Sequence, residues 1–393
     1  MGVPQKARFV RIIRFMERKK QSYRQYNICF KIVNEKTGIL ILVSYYGGIM
    51  YTVKGIKELG YRLLDMEPSV VQKYRILKDF IGIDRNSSEF IKARKALYES
   101  EQYLELEAAR ESHGMWGQYH TEKTKIKRVF KTTEVAMKRC QSLGLDIEDQ
   151  IIKKLLESIV GMLTGEIQYP DNKEVTNVWM DTGFRWPLVS GIARLDRFNP
   201  ILDKPWSIMA ELVMGSFKSG RFRQQDHDDT FMKLVVNELT NAQKKRLSTI
   251  QFIGTGGWPL VVGATNNKLP YNVEKTYINW LINKPEGIYG RSPHPYKRIP
   301  AISERDFMGY MRVQSLLAPF RAWKEGYGEE VLDNLGLAAG LDGLWYPDRG
   351  AKSLYILKSY EMHQLADNWR NPIAAKIDFS IFILDFIMKA LST

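Results

Sequence analysis

The chain of 393 residues is 44% hydrophobic and 26% charged, a globular composition with length for two or three packed units, which excludes a disordered or collagen-like chain. Against 44 Asp and Glu stand 58 Lys and Arg, a net charge of +14. That excess predicts attraction to polyanions and says nothing of the fold.

From the start, Lys6, Arg8, Arg11, Arg14, Arg18, Lys19, Lys20 and Arg24 face a single acid, Glu17, within residues 1–27. Phe9, Ile12, Ile13 and Met16 recur at three- and four-residue spacing among those arginines, which predicts an amphipathic basic helix able to dock on a partner. With no Ser-rich tract and no cleavage site, this is expected to be a mature arm rather than a transit peptide. Tyr26 to Ser44 holds two β-branched-rich runs around Asn34–Gly38, the pattern of a hairpin, with a helix pair as the alternative for the second run.

Tyr51 to Gln168 is mostly helical in period. One helix is expected to close at Gly60, and Ser87 or Ser88 is expected to cap a single helix running on through residue 109. Polar residues 169–176 and the proline-punctuated 199–205 predict breaks, followed by helices over 206–215 and 230–246. Between those helices lies the basic loop Phe217–Arg223. The turn-rich Phe252–Gly263 predicts a hinge, beyond which helices are expected over 273–283 and 303–318, separated by the proline-rich 291–300. The predicted organisation is therefore mainly α-helical: a basic arm (1–27), an N-terminal helical lobe (28–262) with a small hairpin, a C-terminal helical lobe (263–358) and a C-terminal arm (359–393). The apolar stretch Phe379–Met388 is interrupted by Asp385 and is too short to span a membrane, which takes about 20 residues.

The usual catalytic signatures are missing: no phosphate-binding G-x-x-x-x-G-K, no G-x-G-x-x-G, no H-E-x-x-H and no G-x-S-x-G occurs. Asp226-His227-Asp228-Asp229 is the one suggestive cluster, since adjacent carboxylates and an imidazole suit Mg²⁺ or Mn²⁺. The plainer expectation is that Asp228 or Asp229 caps the following helix. His113 and His120 share a helical face but lack further zinc ligands, and Cys29 and Cys140 match no zinc spacing and no disulfide framework, as fits a reducing compartment. No cofactor is expected.

Basic clusters interleaved with aromatics or glycines are more informative: Lys123–Lys131, Phe217–Arg223, Lys244-Lys245-Arg246, Arg291–Arg298 and Trp345–Lys352. Lys and Arg neutralise phosphates with counterion release, and an aromatic face stacks a base, which together suit single-stranded nucleic acid without sequence preference. Lys123–Lys131 also fits a solvated helix face. The aromatics of the Phe217 and Trp345 loops fit the core equally well. The candidate contacts are Lys218, Arg221, Arg223, Lys244, Lys245, Arg246, Tyr346, Arg349 and Lys352.

Three stretches in order along the chain resemble the nucleoproteins of non-segmented negative-strand RNA viruses, most closely the pneumovirus type. Thr37–Tyr46 followed by Lys54–Leu63 looks like that family's early apolar helix and a helix ending in a Gly-Tyr pair. Gly256-Gly257-Trp258-Pro259-Leu260 is similar to a Gly-aromatic-Pro segment of the paramyxovirus relatives, one residue further from Phe252. Leu335–Gly350, then Tyr355–Leu365, resembles a Leu-Gly-x-Ala-Ala-Gly-Leu run leading to an RNA-touching Tyr-Arg-Gly; here Pro347 and Asp348 separate Tyr346 from Arg349. These pieces cover roughly a fifth of the chain. The resemblance implies two helical lobes clamping single-stranded RNA in a basic groove. It also implies terminal arms that join neighbouring copies into rings or filaments, a phosphoprotein and a polymerase as partners, and residence in a virion nucleocapsid and the host cytoplasm. No catalysis and no membrane are required. Two other classes compete: a metal-dependent nuclease using Asp226, His227, Asp228 and Asp229, and a capsid or scaffold protein whose arm alone neutralises the genome.

Overall fold

The computed structural model describes residues 29–33, 40–44, 52–120, 128–168, 186–235, 252–255, 269–284, 299–347 and 364–391, and most of them are helical. The predicted arm at 1–27 lies outside the described residues. Strands β1 (Cys29–Val33) and β2 (Leu40–Ser44) pair antiparallel from Cys29 opposite Ser44 to Val33 opposite Leu40.

Hydroxyl side chains set the first helix starts. Thr52 caps α1 (Val53–Leu64), and Ser69 caps α2 (Val70–Arg75) in a reciprocal box with Gln72. Ser87 caps α3 (Ser88–Tyr98), Ser100 caps α4 (Glu101–Ala108) and Thr132 caps α5 (Thr133–Ser142). Each hydroxyl accepts an otherwise unpaired amide of the first turn, an effect of about 1 kcal/mol per cap. Ser87 is one of the two caps expected from sequence. The single helix expected through residue 109 is instead two, because the Ser100 hydroxyl donates to Leu97 O at 2.6 Å and accepts from Tyr103 N, ending one helix and starting the next.

A second correction concerns Gly60, which lies buried inside α1 rather than at its end. A Cβ there would fall 2.9 Å from Ile81 Cγ1 and 3.3 Å from Phe80 Cβ. The glycine serves the close crossing of α1 over the wide π-turn Ile76–Ile81 that continues α2.

The chain continues as α6 (Gln150–Thr164), α7 (Trp186–Leu195), α8 (Asp203–Ser216), α9 (Gln224–Val235) and α10 (Phe252–Thr255). Then follow α11 (Tyr271–Ile282), α12 (Phe307–Leu317), α13 (Arg321–Trp323), α14 (Glu329–Ala338) and α15 (Pro372–Leu391). The proline-punctuated 199–205 lies between α7 and α8, as expected, and its second half already belongs to α8. Asn199 Oδ1 accepts from Ile201 N at 3.2 Å, and a 3₁₀ turn at Pro200–Leu202 runs into α8. Pro205 sits in the first turn of α8, where its missing N–H costs no intrahelical bond.

Helix α15 is buried nearly all round: Ile377, Phe379, Ile381, Ile383, Leu384, Phe386 and Ile387 are each at most 2% exposed. Such a helix belongs in a core. It packs on α2, the π-turn after it, and α12 of its own chain. Its polar residues are all paired. Asp378 accepts from Gln72, Leu365, Ala366 and Trp369, Ser380 bonds the backbone of Trp345, and Asp385 accepts from Arg75. The segment expected as a C-terminal arm thus packs as a core helix within the single chain. No helix among the described residues is long and apolar enough to cross a membrane.

Candidate nucleic-acid interface

Helix α8 ends at Ser216 and α9 begins at Gln224, and the loop between them is drawn tight by its own backbone. Gly220 N donates to Phe217 O at 2.9 Å and Arg223 N to Ser216 O at 3.3 Å. Gly220 turns the tip with φ +76°, a left-handed conformation with open space around it. The loop is anchored by Phe217, which is buried and lies edge-on to Tyr277 and Trp280 of α11, with ring centroids 5.9 and 5.7 Å away.

Because Phe217 is fixed, the following cations point outward. Lys218, Arg221 and Arg223 are all exposed. Lys218 Nζ lies 3.0 Å from Asp226 Oδ1 and Arg223 Nε 3.8 Å from Asp226 Oδ2, so one buried carboxylate on the first turn of α9 steadies both. Arg221 has no ion pair among the described residues and presents its full charge. Beside them, Phe222 stacks on Trp280 with centroids 4.3 Å apart and planes at 21°. Both rings are half-buried. Lys284 adds a cation 4.7 Å from the Trp280 ring centroid and donates to Gly254 O at 3.3 Å. Tyr277 donates to Ile253 O at 2.7 Å, so α10 is strapped to α11. Burial pushes the Tyr277 phenol well above its ordinary range, keeping it a donor.

The carboxylates that suggested a metal site are otherwise engaged. Asp226 holds Lys218 and Arg223, while Asp228 Oδ1 accepts from Gln224 Nε2 at 2.8 Å and faces His227 Nδ1 at 3.0 Å. Asp229 accepts from Gln225. Among the described residues no group of three or more His, Cys, Asp or Glu is placed to hold a metal ion. Nor do Asp228 and Asp229 cap a helix, since α9 already begins at Gln224; the acid of its first turn is Asp226. His227 is buried and its ring lies parallel to Phe231, centroids 5.9 Å apart. Burial lowers its pKa, with Lys284 adding to the effect and Asp228 opposing it. His113 and His120 face Glu111 and Glu134 respectively, and Cys140 is a free, buried thiol.

Of the residues named from sequence, the structure therefore gathers Lys218, Arg221 and Arg223. Tyr346 is half-buried against the core, with no ring contact to the loop aromatics among the described residues. Its neighbour Trp345 is fully buried, donating through Nε1 to Leu335 O at 2.7 Å. The core alternative therefore holds for Trp345. Lys244, Lys245, Arg246, Arg349 and Lys352 lie outside the described residues, as do 291–298. Of Lys123–Lys131 only 128–131 is described; Arg128 pairs with Glu111, and Phe130 is buried. Sequence reasoning missed Trp280 and Lys284. Their signal was the spacing of Tyr277, Trp280 and Lys284 at three and four residues, one face of a predicted helix. No protein-family model, no curated protein and no solved structure matches the chain.

Proposed function

We propose that this protein coats single-stranded RNA without sequence preference, as a nucleoprotein of the kind its motifs resemble. The observation that carries the reading is the loop at 217–223: three exposed cations beside a stacked aromatic pair, in a chain of net charge +14. The cations neutralise phosphates and release counterions, giving affinity for any sequence, and an aromatic face adds base stacking of about 1–3 kcal/mol per base. A further support is position. The loop packs against α11, so residues on both sides of the boundary expected at 262–263 meet at the Phe217–Tyr277–Trp280 cluster. A groove between two lobes would be lined there.

On this reading the protein has no enzymatic role and needs no cofactor. Copies join through the terminal segments 1–27 and 359–393 into a ring or helical filament. Since α15 sits on its own chain, it would reach a neighbour only by taking the same seat there, as an exchanged element. A phosphoprotein and a polymerase would be its partners, in the cytoplasm of a host cell and in the virion nucleocapsid. The small hairpin at 29–44 belongs to the N-terminal lobe in this scheme.

The test is absorbance at 260 and 280 nm on nuclease-treated, purified protein, with negative-stain microscopy of the same sample. The reading expects a nucleic-acid-rich ratio together with rings or filaments. A pure-protein ratio from particles that also fail to bind added RNA would overturn it.

A further inference from the structure

Two buried acceptors beside the cationic loop have no hydrogen-bond partner among the described residues: Asp226 Oδ2 and His227 Nε2. Their residues are 4% and 1% exposed. A buried polar atom left unpaired is destabilising, and native folds rarely keep one without a use. The chemistry of the imidazole atom is fixed by its neighbour. Asp228 Oδ1, 3.0 Å from His227 Nδ1, holds the ring proton on that nitrogen, which leaves Nε2 with a free lone pair. Burial also keeps the ring neutral at physiological pH. His227 Nε2 therefore seeks a donor, whereas Asp226 Oδ2 faces the Arg223 guanidinium at 3.8 Å, beyond hydrogen-bond reach.

Between this histidine and the aromatic platform stands one side chain. Phe222 has its ring centroid 6.0 Å from that of His227 and 4.3 Å from that of Trp280. It belongs to the loop that turns at the left-handed Gly220, where nothing crowds the tip. Displacement of Phe222 would free the Trp280 face and remove one of the two rings packed against His227.

We infer that Phe222 holds the place of a nucleobase on Trp280, and that in the complex His227 Nε2 accepts a hydrogen bond from a ribose 2′-hydroxyl. The inference rests on the nucleic-acid reading of the loop and adds to it a choice of RNA over DNA. A phosphate cannot satisfy these atoms, because it offers only acceptors and is served by Lys218, Arg221 and Arg223. Base donors differ among the four bases, whereas the 2′-hydroxyl is present on every ribonucleotide and is the group that distinguishes RNA from DNA. Among the donors of an RNA strand, that one alone is offered by every nucleotide whatever its base.

The experiment is fluorescence anisotropy with three labelled single strands of one sequence: RNA, DNA and 2′-O-methyl RNA, titrated with the full chain. Wild-type protein should bind RNA about three- to tenfold more tightly than either of the others, the range of one hydrogen bond. His227→Phe keeps an aromatic ring against Phe231 and should bind all three at the level of DNA. Phe222→Ala should bind RNA more tightly than wild type, since the seat is already free. Equal wild-type affinity for RNA and DNA, an RNA preference that survives in His227→Phe, or weaker binding by Phe222→Ala would overturn the inference while leaving the function intact. Failure to bind any of the three strands would overturn both.

Discussion

Arg75 Nη2 lies 2.6 and 2.7 Å from the two carboxylate oxygens of Asp385, joining α2 to the buried C-terminal helix. The same guanidinium donates to Asp79 and to the carbonyl of Ser142, so one buried cation ties together three parts of the chain. Desolvation opposes the arginine's charge, and the two carboxylates outweigh it and hold the ion in place.

Removing one partner of a buried pair strands the other. Asp385→Ala should therefore lose about 3–5 kcal/mol of stability in urea unfolding. The double variant Arg75→Met with Asp385→Leu should recover part of the loss, because the buried guanidinium is gone and only the half-buried Asp79 is left without its partner. Since α15 sits on its own chain, the wild-type midpoint should not depend on protein concentration in the absence of RNA. A midpoint that climbs with concentration would instead put the helix on a neighbouring copy.

Gly60→Val should destabilise by about 1–3 kcal/mol through overpacking against Ile81 and Phe80. RNA affinity, measured under conditions where the variant is folded, should stay at the wild-type value. A variant as stable as wild type would show that the α1 crossing is looser than its geometry states.

Much of this was legible in the sequence, and the misses share a cause. The helical period, the Ser87 cap, the loop at 217–223 and the helix expected over 273–283, which begins two residues earlier at Tyr271, follow from local pattern and capping chemistry. Gly60 was misplaced because a glycine that permits a close crossing looks the same, in sequence, as one that ends a helix. Ser100 hid within a periodic run whose apolar spacing continues across the break. Trp280 became part of the site through its stacking on Phe222: the spacing of Tyr277, Trp280 and Lys284 marks a shared helical face, but not the distant loop that face meets. The Trp345 loop shows the converse: its aromatic-cationic composition matched a binding loop, yet Trp345 is spent on the core.

Asp378 gives a pH dependence. Its carboxyl is buried and pushed up from 3.8 to about 6 by desolvation, against the lowering effect of the groups that donate to it. The folded state thus holds this proton more tightly than the unfolded chain, so stability from this group is greatest below about pH 4 and is lost as pH rises through about 6. The difference is on the order of 3 kcal/mol. Asp378→Asn should remove that slope, seen as the wild-type minus variant stability across pH 4 to 7. Parallel curves for the two proteins would contradict the assignment.

Asp226 competes with phosphate for Lys218 and Arg223. Asp226→Asn should free both cations, tighten RNA binding severalfold and steepen the salt dependence by about 0.7 in the log–log slope for each phosphate gained. Weaker binding with an intact fold would mean that the carboxylate positions the cations more than it masks them.

The measurement that tests the central claim most directly is the salt dependence of single-stranded RNA affinity for wild type and for the Arg221→Glu, Arg223→Glu double variant, with folding checked by circular dichroism. The account predicts wild-type binding that weakens steeply with salt and is alike for homopolymers of different base. In the folded double variant both affinity and slope should drop, the slope by about 0.7 for each lost phosphate contact. Unchanged affinity and slope in the double variant would remove the 217–223 loop from the RNA-binding surface and contradict the account.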